Sequence, residues 1–349
     1  MLSLRALNRA TLDRQLLLDR SAATPHEVVA HLVGMQAQEP FSPYFGLWSR
    51  VRDFDPRMLG DLLVDRKVVR APLHRATIHL VTADDHGVLE PVLRPMVERR
   101  FRSSPFKVAA PYLDRIAPLV REWVAEQPRT KAELTRLLGA EFPDVDAESL
   151  AVAACQLLSM IQVPPRAVWG ASGRASWTTA EHWLGVPRGD KADHAGLVLR
   201  YLAAFGPATV ADVRAWSGLG GLKDVVEGLD LRRLVDEDGR ELVDLPDAVL
   251  PDADVPAPVR FLPEFDNVLL GHDDRRRIIS DEDYRRGVVV GGRRTVLVDG
   301  FVHGTWRTTR TGLDVEIFRP LTRAQRVDVE TEGAALLAFA GVAGEVVIT

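Results

Sequence analysis

Cysteine is nearly absent from this sequence: Cys155 is the single cysteine in 349 residues. One cysteine cannot form an internal disulfide and is too few for a zinc cluster. Its apolar neighbourhood, AVAACQLLSMI, favours a small buried side chain. The nine histidines show no HExxH or other close metal spacing, and neither GxxxxGK[ST] nor GxGxxG after a strand occurs. We therefore expect no metal and no cofactor.

Long apolar runs are also missing. No segment approaches the roughly 20 apolar residues that a membrane-spanning helix needs. Residues 1–20 carry charges throughout and lack the separate apolar core of a secretory signal. We expect a cytoplasmic protein that does not contact a membrane. The length argues for two or more folding units.

An overall excess of basic residues is absent too, since the net charge is −5. This average counts against a nucleic-acid partner, but arginines concentrate locally, and a local basic surface can still bind phosphates. The alternative is that they form solvated faces paired with nearby acids such as Asp273, Asp274 and Asp281. The C-terminal candidates for contacts to nucleic acid are Arg275, Arg276, Arg277, Arg293, Arg294, Arg307 and Arg310.

Residues 197–245 show the pattern of one structural module. A helical pattern stops at Gly206, a second helix begins at the N-cap Thr209 with Asp212 at the capping-box position, and Gly218 ends it. A third short helix and two strands around the turn at 236–239 follow. Three helices followed by a β-hairpin predict a winged helix, a relative of the helix-turn-helix.

The same pattern recurs twice. Residues 111–188 repeat it, with Thr130 aligned to Thr209, Gly139 aligned to Gly218 and two strands expected around Gly173. The N-terminus gives a third copy: a leucine-rich helix over residues 2–20, a second helix capped at Thr24, and a strand pair at 67–82. Repetition strengthens each single match. Here Gln36 and Gln38 lie at the corner after the second helix, a corner that in such folds lies near the nucleic acid.

After the Pro- and Asp-rich stretch at 251–259, short strands predict a small α+β unit that ends in a long helix capped at Thr322. The strands include GVVV, and VVVGGRRTVLV predicts a hairpin with Arg293 and Arg294 at its tip. A plain exposed turn is the alternative there. The predicted architecture is α+β, with units at residues 1–108, 109–190, 191–250 and 251–349.

Several segments together resemble a known family. LNRATLDRQLLL, GMQAQEP, HRATIHLVTADD, FLPEFDNVLLGHDDRRRI and VLVDGFVHGTWR resemble the AlkZ-like DNA glycosylases, in order and over nearly the whole chain. The resemblance implies three tandem winged helices and a C-terminal β-rich domain, C-shaped overall, that grip duplex DNA. It also implies a catalytic Gln-x-Gln motif at Gln36 and Gln38. A sister branch, similar to the YcaQ proteins, has Gln-x-Asp instead.

The function implied by the resemblance is a monofunctional DNA glycosylase. It would remove bulky N7-alkylated purines from double-stranded DNA, in alkylation repair or in self-resistance to a genotoxic natural product. Some members of the family also unhook interstrand crosslinks, and the resemblance leaves open whether this chain does. An N7-alkylated guanine already carries positive charge, so the chemistry left to the protein is mostly placing a water, which a glutamine amide can do. Glu39 is the competing candidate for a general base.

Non-catalytic interpretations of Gln36 and Gln38 also fit the sequence. Glutamines at DNA-reading corners contact adenine edges or phosphates, and such folds bind more often than they react. A winged-helix transcriptional regulator is the alternative function; such regulators are usually two-fold dimers, whereas three modules in one chain favour a monomer. His79 and His303 are expected to be half-buried structural residues. The core anchors are expected to be Trp169, Trp177, Trp183, Trp216 and Trp306.

Overall fold

A computed structural model of the protein describes residues 1–186, 189 and 191–349. The predicted α+β class is confirmed, with mixed helices and strands and a strand-rich C-terminal part. Residue 190, where the second unit was predicted to end, lies outside the described residues. None of the helices among the described residues combines the length and the apolar character that crossing a bilayer requires.

The N-terminal part follows the predicted start signals. Thr24 and Glu27 form a capping box and Pro25 occupies the first turn of the second helix. The first helix is shorter than predicted, since it stops at Arg14 and Leu16 adopts a positive φ of 57°. The elements are α1 (Leu4–Arg14), α2 (Pro25–His31), β1 (Met35–Gln36), α3 (Ser42–Trp48), α4 (Pro56–Val64), β2 (Val68–Pro72), β3 (Ile78–Thr82) and α5 (Ala83–Arg102).

The second part keeps the capping box at Thr130 and Glu133 but corrects two details. Gly139 lies inside its helix, which runs on to Glu141, so it is no C-cap. Only one strand follows Gly173, and its hairpin partner lies before the cis-proline loop. The elements are α6 (Leu113–Glu126), β4 (Arg129–Thr130), α7 (Lys131–Glu141), α8 (Ala147–Leu157), β5 (Met160–Val163), β6 (Ser176–Thr179) and α9 (Ala180–Leu184).

The third part confirms its prediction element by element. Thr209 and Asp212 form the capping box, and Gly218 ends the helix in the left-handed conformation at φ 81°. The hairpin strands pair around residues 236–239 as predicted. The elements are α10 (His194–Phe205), α11 (Val210–Ser217), α12 (Lys223–Glu227), β7 (Arg232–Val235) and β8 (Glu241–Asp244).

The C-terminal part is built on five strands in the order β13-β12-β11-β10-β9. Its long helix begins after the predicted cap Thr322. The elements are β9 (Arg260–Leu262), α13 (Asn267–Leu270), α14 (Asp281–Arg285), β10 (Thr295–Val298), β11 (Phe301–Thr309), β12 (Gly312–Ile317), α15 (Arg323–Ala340) and β13 (Glu345–Ile348). The last strand, which pairs in parallel with β12, was not foreseen.

The predicted GVVV strand and the arginine-tipped hairpin are wrong. Residues 287–292 form successive turns, in which Gly291 N donates to Gly287 O (2.7 Å) and Arg293 N to Val288 O (2.9 Å). Gly287 and Gly292 supply the positive φ values of 75° and 60° that these turns need. Because the backbone groups bond locally, the segment offers no ladder to a neighbouring strand, and β10 pairs with β9 and β11.

The predicted units share sheets and cores. One six-stranded sheet, β1-β3-β2-β5-β6-β4, takes strands from the first and second units. One apolar cluster joins Val33 and Val81 of the first unit to Phe205 and Trp216 of the third. Another joins Leu12 of α1 to the C-terminal part. The boundaries therefore stay predictions, and the corner after α2 lies where these parts meet.

Candidate functional site

The corner GMQAQEP connects α2 to α3 through the short edge strand β1. Met35 pairs with Leu80 and Gln36 with His79, and Ala37 N extends the ladder by donating to Ile78 O (2.8 Å). The next hydrogen bond between the two strands comes from a side chain and not from the backbone: Gln38 Oε1 accepts from Ile78 N at 3.4 Å. Gln38 lies in the bend directly after β1, so one glutamine ends the strand and the other stands in the bend that follows it.

Gly34 sets the start of this corner. Its φ is 96°, and a Cβ there would lie 2.6 Å from Val81 Cγ1 and 3.1 Å from Leu80 O. A side chain would thus meet both left-handed strain and a steric clash with β3. We expect Gly34→Ala to lower the free energy of unfolding by about 2 kcal/mol and to shift the strand that carries Gln36.

Urea denaturation of Gly34→Ala beside Gly170→Ala measures this effect. Gly170 also has a positive φ of 75°, but a Cβ there would meet nothing within 4 Å. The comparison isolates the contact with β3 from the backbone strain that both variants share. Equal losses in the two variants would contradict the packing role of Gly34.

The segment FLPEFDN of the C-terminal part holds the corner by hydrogen bonds at both of its ends. Asn267 Nδ2 donates to Gly34 O (2.7 Å), and Ser42 Oγ donates to Glu264 Oε2 (2.9 Å) just past the corner. From the sheet side, Arg70 Nη2 donates to Ala37 O (2.7 Å). Both ends and the middle of the corner are therefore fixed by buried or half-buried polar groups, which limits the movement of the two amides.

Gln36 is 9% exposed, whereas Gln38 and Glu39 lie on the surface. Arg75 Nη2 donates to Gln36 Oε1 at 3.0 Å. That bond fixes the amide so that the Gln36 NH₂ points away from Arg75. The Gln36 amide is thus fixed by a half-buried arginine, whereas the Gln38 amide is accessible to solvent. This arrangement suits two different contacts to one bound molecule.

His79, the cross-strand neighbour of Gln36, is fully buried rather than half-buried as predicted. Burial, followed by the nearby charge of Arg75, lowers the pKa of His79 to about 3. Its Nδ1 lies 3.0 Å from Thr77 O and so carries the proton, which leaves Nε2 to accept from Arg75 at 3.5 Å. His79 is neutral at physiological pH and orients Arg75 rather than exchanging protons.

The predicted C-terminal arginines lie mostly on the surface with acidic partners. This pairing with neighbouring acids is what the alternative interpretation expects, although exposed pairs can exchange a carboxylate for a phosphate. Arg275 and Arg310 have no carboxylate partner among the described residues. The ion pairs are Arg276–Asp274 (2.7 Å), Arg276–Asp238 (2.7 Å), Arg293–Glu316 (2.5 Å), Arg294–Glu264 (2.6 Å) and Arg307–Asp314 (2.9 Å).

Arg277 does not lie where the prediction placed it. Its side chain is buried, and Nη1 donates to Pro207 O (3.0 Å) and to Thr11 Oγ1 (3.3 Å). The short 3₁₀ turn over Arg275–Arg277 turns two arginines outward and the third inward. Arg277 therefore connects α1 to the third unit and does not face an external phosphate.

His303 and the five tryptophans named above lie in structural surroundings. Burial lowers the pKa of His303, which lies on β11 of the C-terminal sheet. Trp177, Trp216 and Trp306 are buried as expected, and Trp169 and Trp183 are half-buried. Trp306 donates to Leu262 O at 2.9 Å. None of these five tryptophans is an exposed ring placed for stacking on a base.

Arg75, Arg70 and Arg100 were missed as site residues. Arg75 and Arg70 contact the corner directly, and the charge of Arg100 is close enough to lower the pKa of Arg75. The sequence offered the segment HRATIH as part of the family resemblance but gave no sign that its arginine bonds to Gln36. Such a sign requires knowing that β1 and β3 are neighbours.

Comparisons with known proteins place this geometry in a family. The model of the AlkZ-like family, described as DNA glycosylase AlkZ-like, matches residues 29–339. Among solved structures, the Streptomyces sahachiroi DNA glycosylase AlkZ superposes with a TM-score of 0.82 and 21% identity, covering 100% of both chains. At that identity the structural likeness shows the fold alone. No curated protein matches the chain by sequence.

Proposed function

Because the chain belongs to the AlkZ-like DNA glycosylases, we propose that it hydrolyses the N-glycosidic bond of N7-alkylated purines in duplex DNA, with Gln36 and Gln38 as its catalytic residues. Family membership makes it a DNA glycosylase with a DNA substrate. The observation that carries the finer proposal is that both amides at this corner bond to residues 75–78, Gln36 to Arg75 and Gln38 to Ile78 N. One amide is anchored by Arg75 and the other is exposed.

The chemistry suits a leaving group that is already cationic. An N7-alkylated guanine departs without protonation, so the protein must place a water on the far face of the sugar and stabilise its developing positive charge. The exposed Gln38 carbonyl oxygen can accept from that water, and the Gln36 NH₂ can donate to a sugar or phosphate oxygen. Placement of this kind lowers barriers substantially without a titrating group.

Selectivity follows from the same surroundings. His79 is held neutral by burial, so it cannot protonate an unmodified base. A site of neutral amides therefore acts on bases activated by alkylation and spares ordinary purines. We extend the proposal to bulky N7 adducts and to unhooking of interstrand crosslinks, because Gln38 and Glu39 lie on the surface and not in an enclosed pocket.

The cellular role proposed is alkylation repair or self-resistance to a genotoxic natural product, carried out in the cytoplasm by a monomer. The third unit contacts the corner through Arg75, whose Nη1 donates to Trp216 O. Since the parts that surround the corner all come from one chain, no second copy is required to complete the site. Size-exclusion chromatography with light scattering tests the monomer directly.

The deciding experiment is release of N7-methylguanine from methylated duplex DNA under single-turnover conditions at saturating protein. We expect the wild type to release the base, and Gln36→Ala and Gln38→Ala each to slow release by about 100-fold, the usual scale for loss of one positioned polar group. Glu39→Gln is the matched control and should retain the wild-type rate. DNA occupancy is measured for every variant by fluorescence anisotropy.

Each other outcome has a definite meaning. Loss in Glu39→Gln with retention in both glutamine variants would make Glu39 the general base and contradict the proposed roles. A wild type that releases neither N7-methylguanine nor a bulky N7 adduct, while still binding DNA, would contradict the proposed substrate class. The corner would then be a contact surface of a DNA-binding protein.

A further inference from the structure

Arg75 is held in a costly position beside the proposed catalytic corner. It lies in the turn before β3 with φ 54° and ψ 19°, and Ala76 follows with φ 58°. Two successive non-glycine residues in the left-handed region are strained, because their side chains crowd the backbone there. The turn is closed by bonds from Leu73 N to Thr77 O (3.0 Å) and from Thr77 N to His74 O (3.1 Å).

The contacts of Arg75 leave its charge uncompensated. Its guanidinium bonds to Gln36 Oε1, His79 Nε2 and Trp216 O, and all three acceptors are formally neutral. The Trp216 carbonyl lies in the last turn of α11 and carries only a fraction of a negative charge. Within the described parts of the chain, no carboxylate lies at ion-pair distance from Arg75.

Several other arginines with buried side chains are compensated, although Arg70 and Arg277 are not among them. Arg9, Arg14 and Arg50 form ion pairs with Asp299, Asp244 and Asp266, respectively. By contrast, the neighbours whose charges act on Arg75 are further arginines, Arg275 and Arg100, and together with burial they lower its pKa to about 10. An uncompensated, partly buried cation is expensive unless an anion arrives from outside.

The surface next to Arg75 is basic as well. Arg99 Nη2 donates to Gly218 O (3.2 Å), which places it at the same end of α11 as Arg75. Arg99 and Arg100 are exposed, and no ion pair is found for either among the described residues. Arg70 adds a second cation at the corner for which no ion pair is found in the part of the chain that the structure describes; it donates to Ala37 O and to Gln162 Oε1 (2.6 Å).

We propose that Arg75 binds a backbone phosphate of the lesion-bearing DNA strand, beside the target nucleotide, and that it positions the Gln36 amide at the same time. A guanidinium has five N–H donors, of which Gln36, His79 and Trp216 use at most three, so two remain for phosphate oxygens. This inference rests on the proposed function only for the role of Gln36, because the phosphate contact requires no catalysis.

The phosphate contact makes two predictions that a purely structural role does not. Arg75→Met should reduce the slope of log K against log salt by about 0.9, the contribution of one neutralised phosphate. The same substitution removes an uncompensated cation, so the melting temperature should be unchanged or higher. A merely structural arginine would give the reverse: a lower melting temperature with an unchanged salt slope.

The positioning role is tested by base release at saturating DNA. We expect Arg75→Met to slow single-turnover release by about tenfold or more, because the Gln36 amide is no longer oriented. Arg75→Lys should keep the salt slope and recover only part of the rate, since an ammonium lacks the planar fork. Arg57→Met, at an exposed arginine paired with Asp55, is the control and should change none of the three readouts.

An unchanged salt slope in a folded Arg75→Met variant would overturn the phosphate contact. A changed slope with an unchanged release rate would overturn the positioning of Gln36. If the wild type released no base, the proposed function would fail, whereas a reduced salt slope would still support the phosphate contact. If Arg75→Met did not fold, the role assigned to an uncompensated charge would be wrong.

Discussion

Replacement of Arg50 by methionine is expected to lower the free energy of unfolding by about 3–5 kcal/mol, because it leaves a buried carboxylate without its partner. The Arg50 side chain is fully buried, and Asp266 is 1% exposed. Two parallel bonds join them, from Nη2 to Oδ1 (2.7 Å) and from Nη1 to Oδ2 (2.9 Å). The Asp266 carboxylate would keep its desolvation cost and lose its counter-charge.

The Arg50 guanidinium also joins three parts of the fold. Its Nε donates to Gln15 O (2.9 Å) after α1, and Nη1 donates to Gly46 O (3.0 Å) in α3. Gln15 in turn donates to Ala204 O (2.6 Å) in the third unit. Asp266 precedes Asn267, which holds the Gly34 carbonyl. Losing the pair therefore should also loosen the corner that carries Gln36 and Gln38.

Urea denaturation of Arg50→Met beside Arg57→Met measures the effect. Arg57 is paired with Asp55, but its side chain is 85% exposed. The exposed pair should contribute nothing measurable, since solvent screens it. The double variant Arg50→Met/Asp266→Leu should recover much of the loss, because it removes both charges. Equal losses in the buried-pair and exposed-pair variants would contradict the argument.

Local signals in the sequence predicted local structure well. The capping boxes at Thr24, Thr130 and Thr209 each mark a helix start where the structure has one. The hairpin of the third unit formed where its turn residues predicted it. These signals work because the hydrogen bonds of a cap or a turn join residues three or four positions apart. The whole interaction can therefore be predicted from one short segment of the sequence.

Features that depend on distant neighbours could not be read in this way. The run Arg275–Arg277 looks uniform in the sequence, yet Arg277 is buried because Thr11 and Pro207 lie beside it. Residues 287–290 are apolar enough for a strand but bond within their own turns. The two glutamines were found through family resemblance, whereas Arg75 emerged only when β3 was seen beside β1.

Acidification from pH 7 to pH 5 is expected to cost the protein about 4 kcal/mol of stability through the buried His79 and His272, and buried His74 adds to this loss. Burial lowers the pKa of His79 and of His272 to about 3, and it lowers the pKa of His74 well below 6.5. The unfolded chain binds a proton at each of them below about pH 6.5, and the folded protein does not. Stability is therefore lost as pH falls below 6.5.

Geometry explains why these histidines resist protonation. Each ring has one nitrogen at a backbone carbonyl: His74 at Val33 O (3.2 Å), His79 at Thr77 O (3.0 Å) and His272 at Phe205 O (3.0 Å). The second nitrogen of His74 and of His272 is buried and has no hydrogen-bond partner. A proton placed there would be a buried charge without an acceptor, which is costly.

The size of the expected loss in unfolding free energy follows from the linkage between protonation and folding. At pH 5 each histidine that stays neutral only in the folded protein contributes about 2 kcal/mol of destabilisation, since one pKa unit corresponds to about 1.4 kcal/mol. Carboxylates with lowered pKa values, such as Asp55 at about 2, lose their contribution only below the unfolded value of 3.8. Glu27, Glu133 and Glu316, whose pKa values are lowered from 4.5, add only a small loss near pH 5, so the interval between pH 6.5 and pH 5 reports mainly histidine.

Urea denaturation at pH 7, 6, 5.5 and 5 gives the slope of unfolding free energy against pH. For the wild type we expect a slope of at least about 3 kcal/mol per pH unit at the acidic end, from about 1.4 kcal/mol for each proton of His79 and His272, with His74 adding to it. His79→Gln should reduce it by about 1.4 kcal/mol per pH unit, while His182→Gln, at an exposed histidine, should not change it. Because His79 stays neutral in the folded protein down to about pH 3, base release by the folded protein should not change over this pH interval. A wild-type slope near zero would mean that the rings accept protons in the folded protein, and the neutral state assigned to His79 beside Gln36 would then be wrong.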